Sequence, residues 1–358
     1  MARMTSHERM IRMYEHRDAD RVPIVDVPWE STVIRWWREG LPKGANWLDY
    51  FDIDQIAVLG VADIDTSPRC EARIIEETDT HRIEQDRWGA VKKNFKPIST
   101  TPQYLDFVIK DPDTWHEAKK RMAPTRDRVN WKRLQDHYTT WREKGAWVSV
   151  APWFGYDIVN ARMCGTDRIL YAMAADPDWV VDMCNTQCNL ALTLLDMIWD
   201  EGYTFDEFFW FDDMAYNKGM FFSKSMWHDM VKPYQQRTID WAHAHGIKAH
   251  LHCCGNINAL IPELIELGLD ALNPMEVKAG MDPVYMKRTF GDKLLLRGGF
   301  DVRNWDDPAK VEADIRQVLP VMMESGGCIF SSDHSIPDSV SLENFRHIVN
   351  LVKEVGTY

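Results

Sequence analysis

Basic charge is in short supply in this chain. Its 42 Lys and Arg face 55 Asp and Glu, giving a net charge of −13 and a pI near 5.4. No Lys/Arg stripe interleaves with aromatics, so the electrostatic footprint of a nucleic-acid binder is missing. No window approaches the roughly 18 uncharged apolar residues of a membrane-spanning helix, so no transmembrane segment is expected. The run Met1–Met10 carries no apolar signal region. No G-x-G-x-x-G follows the first strand-like segment and no Walker A sequence occurs, which leaves a dinucleotide or nucleoside triphosphate site without support. Cysteine is sparse, odd in number (seven) and irregularly spaced, unlike a secreted disulfide framework. These absences predict a cytoplasmic, reduced protein acting on a small molecule or a protein partner. They do not predict its oligomeric state.

What is abundant is apolar and aromatic: 45% of 358 residues are hydrophobic and 16 are tryptophan. That is enough for a large core, and α/β barrels reach this length as one domain. From residue 147 the chain alternates regularly. Strands running into loops are expected within Trp147–Gly155 and Phe208–Asp213, and strand-like segments at Lys248–Cys254, Ala271–Glu276, Leu294–Phe300 and Cys328–Ser332. Helices are expected at Asp178–Asp200, Ser225–His245, Ile257–Leu267, Asp282–Phe290, Pro308–Ser325 and Arg346–Gly356. Strands alternating with helices imply parallel βαβ units. Roughly eight units, counting the N-terminal part, point to a TIM barrel, with a doubly wound sheet as the alternative. Residues 1–140 read as an N-terminal elaboration of a single domain. It opens with a helix near Thr5–Glu15, where Thr5 and Glu8 have capping-box spacing. A buried strand at Arg21–Pro28 and a hairpin over Ala72–Asp86 follow.

The most informative stretch is His252-Cys-Cys-Gly255, closing a strand. Alternation puts His252 and Cys254 on one face and Cys253 on the other. An imidazole and a thiolate on one face are half of a tetrahedral zinc site. Glu276 and Cys328, each near another strand, are the candidates to complete it. Three permanent ligands with Glu276 exchangeable is a catalytic pattern, while Cys328 also fits a small buried barrel residue and Glu276 a strand-end ion pair. Asp212 and Asp213 end the Phe208 strand ahead of Tyr216, and His334 follows the last strand. Asp213, Tyr216 and His334 are candidate catalytic groups, His334 as a proton donor to a leaving oxygen. Trp29, Trp153, Phe154 and Trp210 sit near strand ends and are candidate substrate-binding aromatics. Cys184 and Cys188, four apart on a long helix, read as core packing.

At these residues the chain resembles the uroporphyrinogen decarboxylase superfamily, and more closely its zinc-dependent, corrinoid-linked methyltransferase branch. Glu8–Ile11 and Asp20–Pro23 carry the resemblance weakly. The stronger pieces are His252-Cys-Cys-Gly, Asn273–Asp282, Leu296-Arg-Gly-Gly-Phe-Asp301 and Gly326–Pro337. That branch is marked by His-x-Cys followed much later by a lone Cys, which here correspond to His252, Cys254 and Cys328. The arginine-rich N-terminal motif of true decarboxylases is missing from Arg21-Val-Pro-Ile-Val-Asp-Val-Pro-Trp-Glu30. The resemblance implies a TIM barrel whose open face meets the cobalamin of a separate corrinoid protein. Two methyl-transfer directions exist in that branch, and the one expected here is anaerobic O-demethylation: a methyl group passes from a small methoxylated, aromatic substrate to that corrinoid, with zinc as Lewis acid. The alternatives are methyl transfer from a methylcobamide to a thiol, a metal-free decarboxylase-like lyase and a non-catalytic binding protein.

Overall fold

The computed structural model describes residues 3–96 and 101–358. Seven parallel strands pair in chain order: Ile56–Leu59, Trp147–Val150, Glu207–Phe211, Lys248–His252, Ala271–Asn273, Leu295–Arg297 and Cys328–Ile329. The eighth stave is the segment around Ile24. Val25 N–H donates to the Phe330 carbonyl (3.0 Å) and Phe330 N–H to the Pro23 carbonyl (2.9 Å) on one side. On the other, Asp54 N–H donates to the Ile24 carbonyl at 3.1 Å, just before the first strand. The segment therefore stands between the last strand and the first and closes the sheet into a TIM barrel. Helices such as Pro177–Asp200, Lys232–Ala244, Pro308–Met323 and Leu342–Val355 carry the chain back between strands and cover the outer face, the arrangement parallel strands require.

Strand parity sorts the side chains. Ala271, Leu295 and Ile329 point into the barrel and pack with Val25, Trp147, Met10, Met13 and Tyr14. The helix Ser6–Tyr14, started by the Thr5–Glu8 capping box, thus plugs the end at which the strands begin. Its buried Arg9 is gripped by Asp20 (2.6 and 2.8 Å) and by Asp54 (2.8 Å), and Arg21 takes the second Asp54 oxygen at 2.7 Å. This ion cluster ties the plug helix to the stave at residues 22–25 and to the entry of the first strand.

The elements differ from the sequence reading mainly in extent. The barrel draws two staves from the N-terminal part, including Ile56–Leu59, which showed no distinct strand pattern. The hairpin expected over Ala72–Asp86 forms as Arg73–Glu77 and His81–Gln85 and grows into a four-stranded antiparallel sheet with Ala90–Phe95 and Gln103–Phe107. Barrel strands stop earlier than expected, at Asn273 rather than Glu276 and at Ile329 rather than Ser332. Among the described residues no helix is long and apolar enough to cross a membrane.

Candidate active site and metal centre

The barrel opens at the ends of its strands into a cavity of about 380 Å³, within the usual range for small-molecule sites. Trp153, Phe209 and Phe211 form its aromatic wall. Val27, Val58 and Val61 stand at the mouth, and His252, Asn273, Arg297 and His334 supply the polar groups. Phe209 and Phe211 meet edge to face, with centroids 5.0 Å apart, and Phe211 leans on the His252 ring at 4.8 Å.

Three potential ligands converge on one side. His252 Nε2 lies 3.4 Å from Cys254 Sγ and 3.9 Å from Asp213 Oδ1, and the three ligand atoms all fall within 4.8 Å of one another. Tetrahedral zinc with bonds of about 2.0 Å to nitrogen and oxygen and about 2.3 Å to sulfur places its ligands roughly 3.3–3.6 Å apart; the His252–Cys254 pair has that spacing, and Asp213 stands slightly farther out. The surroundings are also prepared for a cation. His252 Nδ1 is held by Asn273 Oδ1, which leaves Nε2 facing the cluster. Burial lowers the His252 pKa and favours the neutral ring a metal needs. Burial first, then the Asp213 and Glu276 carboxylates, push the Cys254 thiol well above its usual range; a divalent cation reverses that balance. Gly255 makes the turn possible: its φ is +83°, and a Cβ there would stand 2.5 Å from the Ala215 carbonyl carbon.

Glu276 approaches without joining the three. Its Oε2 accepts from Gly255 N–H at 2.7 Å and its Oε1 pairs with Lys278 at 2.7 Å, the position of a supporting carboxylate. Deeper in the cavity, Glu207 Oε1 accepts from Tyr14 Oη and His250 Nδ1, both at 2.6 Å. Burial opposes its charge, yet His250 and these hydrogen bonds win and hold its pKa at about 2. Asp26 accepts from Ser332 N–H and Oγ and from Val27 N–H, but there burial prevails and lifts its pKa to about 6.

Residues 149–355 match the sequence model of the family described as uroporphyrinogen decarboxylase (URO-D). The chain belongs to the uroporphyrinogen decarboxylase family. The matched span contains His252, Cys254, Asp213, Arg297 and His334. No curated protein matches the sequence. Among solved structures, a methyltransferase from Methanosarcina mazei superposes with a TM-score of 0.68 at 15% identity, covering 98% of this chain and 99% of that one. A glycosylated endo-β-1,4-xylanase from Gloeophyllum trabeum (TM-score 0.37, 11% identity, 65% and 83% covered) and a xylose isomerase-like TIM barrel protein from Mycobacterium smegmatis (0.33, 13%, 70% and 92%) are more distant.

Within this family barrel, the sequence-predicted residues divide. His252, Cys254, Asp213, Trp153 and His334 meet at or near the cavity. Cys328 does not: it lies at the start of its strand on the outward parity, buried among outer-face residues, with the Tyr358 hydroxyl and Lys287 as its electrostatic neighbours. Asp213 stands beside His252 and Cys254 as the third potential ligand. Trp210 and Phe154 are fully buried behind the wall, each packed on Phe208, and Phe209 and Phe211 hold the lining positions instead. Tyr216 points away, 48% exposed and stacked on Phe221 at 5.6 Å. Trp29 stands on the rim, its ring 6.1 Å from that of His334. Asp212 is an anchor that accepts from Tyr234 Oη, Gln235 Nε2 and Asp157 N–H. Cys184 and Cys188 are buried in the core. Arg297, Asn273 and Glu207 were missed; the register that pairs Glu207 with Lys248, His252 with Asn273 and Leu272 with Leu296 puts all three on the inward parity.

Proposed function

We propose that the protein is a metal-dependent methyltransferase that moves a methyl group from a methoxylated aromatic compound to the cobalt of a partner corrinoid protein. The observation that carries this reading is the nitrogen, sulfur and oxygen donor set of His252, Cys254 and Asp213 at the edge of an aromatic-walled cavity. The likeness of nearly the whole chain to a methyltransferase fold supports it.

Zinc suits a donor set of one imidazole, one thiolate and one carboxylate, and when bound it supplies a Lewis acid for the ether oxygen. The residues around it do the rest. Phe209, Phe211 and Trp153 bind an arene by stacking and exclude water from the reacting end. Asn273 fixes the His252 tautomer. Lys278 and Gly255 N–H hold Glu276 beside the cluster without spending it as a ligand. His334, on the cavity wall, can give a proton to the departing phenolate oxygen.

A metal-free decarboxylase acting on a tetrapyrrole with many carboxylates is disfavoured. Arg297 is the only Arg or Lys among the described residues lining the cavity, and two carboxyl groups, Asp26 and Glu207, face it. Such a floor repels a polyanion. The deciding assay presents the zinc-loaded protein with a methoxyarene and reduced corrinoid protein, and separately with methylcobalamin and a thiol. Formation of methylcobalt and a phenol in the first is the expected result; methylation of the thiol alone replaces this reading with the reverse transfer.

A further inference from the structure

Arg297 has no use in the reaction described so far. It ends the strand Leu295–Arg297 and points into the cavity, so what exposure it keeps is to that interior. Its Nε is buried and has no hydrogen-bond partner, and among the described residues no carboxylate forms an ion pair with its guanidinium. The neighbouring acids are occupied elsewhere: Glu207 Oε1 by Tyr14 and His250, and both Asp26 oxygens by Ser332 and Val27. They act on Arg297 only through their field. The guanidinium sits 5.8 Å from the centroid of Phe209, on the wall where an arene would stack. A buried guanidinium with unused donors is costly unless something fills it, and its planar fork matches a carboxylate in bidentate fashion.

Its position relative to the metal-binding cluster is fixed by the sheet. His252 pairs with Asn273, and Leu272 pairs with Leu296, one residue before Arg297. Asn273 bridges the two, taking His252 through its Oδ1 and donating Nδ2–H to the Arg297 carbonyl at 3.3 Å. The three inward side chains stand at one level on adjacent strands, so His252 and Arg297 leave backbones about 10 Å apart. The two side chains therefore enter the cavity on either side of Asn273, where a benzene ring bearing an ether at one end and an anion at the other can face both.

We propose that Arg297 is an anion-binding subsite of the cavity and that the substrate is a methoxylated aromatic carboxylate, its carboxylate on Arg297 and its ether oxygen toward His252 and Cys254. The substrate class rests on the methyl-transfer reading above; the anion subsite does not.

The test is binding by the purified zinc-loaded chain, followed by calorimetry, of 3- and 4-methoxybenzoate against the matching methoxybenzamides. At least one acid should bind about ten- to a hundredfold tighter than its amide, the range expected for charge-assisted hydrogen bonds. Arg297→Met should erase that preference while leaving amide binding in place, and Arg297→Lys should restore part of it. Equal affinity for acid and amide in the wild type overturns the proposal. So does a preference that persists in Arg297→Met, because the acid is then held by the metal. If the preference depends on Arg297 but neither acid loses its methyl group to corrinoid protein, the subsite stands and the methyl-transfer reading falls.

Discussion

At the scale of single residues, the candidate metal centre depends on which side of a strand a side chain leaves. His252 and Cys254 lie two apart and meet at 3.4 Å, while Cys253 turns outward and accepts the Met214 N–H at 3.3 Å. Cys328 shares the outward parity on its own strand. Cys254→Ala and Asp213→Ala should each drop zinc from about one per chain toward zero, because a site left with two protein ligands is weak. Cys328→Ala and Cys253→Ala should retain it. Metal content of the purified variants, measured by atomic emission after dialysis, checks this; a Cys328→Ala protein without zinc would return Cys328 to the ligand set. Glu276→Gln should keep the metal but lower turnover, since the Gly255 N–H and Lys278 lose a charged acceptor.

At the scale of elements, the sequence showed that strands and helices alternate, and it placed His252, Cys254 and Asp213 at strand ends. The periodicity of 2 was strong in Lys248–His252, where the residue types differ between faces. It was weak in Phe208-Phe-Trp-Phe211, where every residue is a large aromatic. Composition there cannot say which face is lining and which is core, so Trp210 read as a binding residue although Phe209 and Phe211 line the cavity. The two-residue strand Cys328–Ile329 is too short to show any alternation, and only its pairing with Leu296 and Arg297 fixes Cys328 outward. The stave around Ile24 was legible as buried and extended, but its partners are distant in sequence. Its anchor is testable. Arg9→Met strands Asp54, which is fully buried, with one of its two guanidinium partners gone. Breaking a buried pair in this way costs about 3–5 kcal/mol, so the urea midpoint should fall well below that of the wild type. An unchanged midpoint would mean that the plug helix contributes little to barrel closure.

At the scale of the whole molecule, the barrel is plugged at one end and open at the other. The Ser6–Tyr14 helix fills the end where strands begin, and the cavity occupies the end where they finish. On the proposed function, the second reactant therefore arrives at the mouth. The rim there is apolar in an otherwise acidic protein: Val27 is 55% exposed, and Val58 and Val61 are each 38% exposed. An apolar rim suits the flat face of a macrocycle carried by a partner protein better than it suits a small hydrophilic thiol, which needs no docking surface. Val27 uses only its backbone in the fold, donating N–H to Asp26 and accepting from Ile336 N–H, so its side chain is free to change. Val27→Glu combined with Val61→Glu should raise the KM for corrinoid protein about tenfold or more, because two charges must be desolvated on docking and each decade corresponds to about 1.4 kcal/mol. Zinc content should stay at the wild-type value. If the double variant methylates corrinoid protein with the wild-type KM, the acceptor does not dock at this mouth.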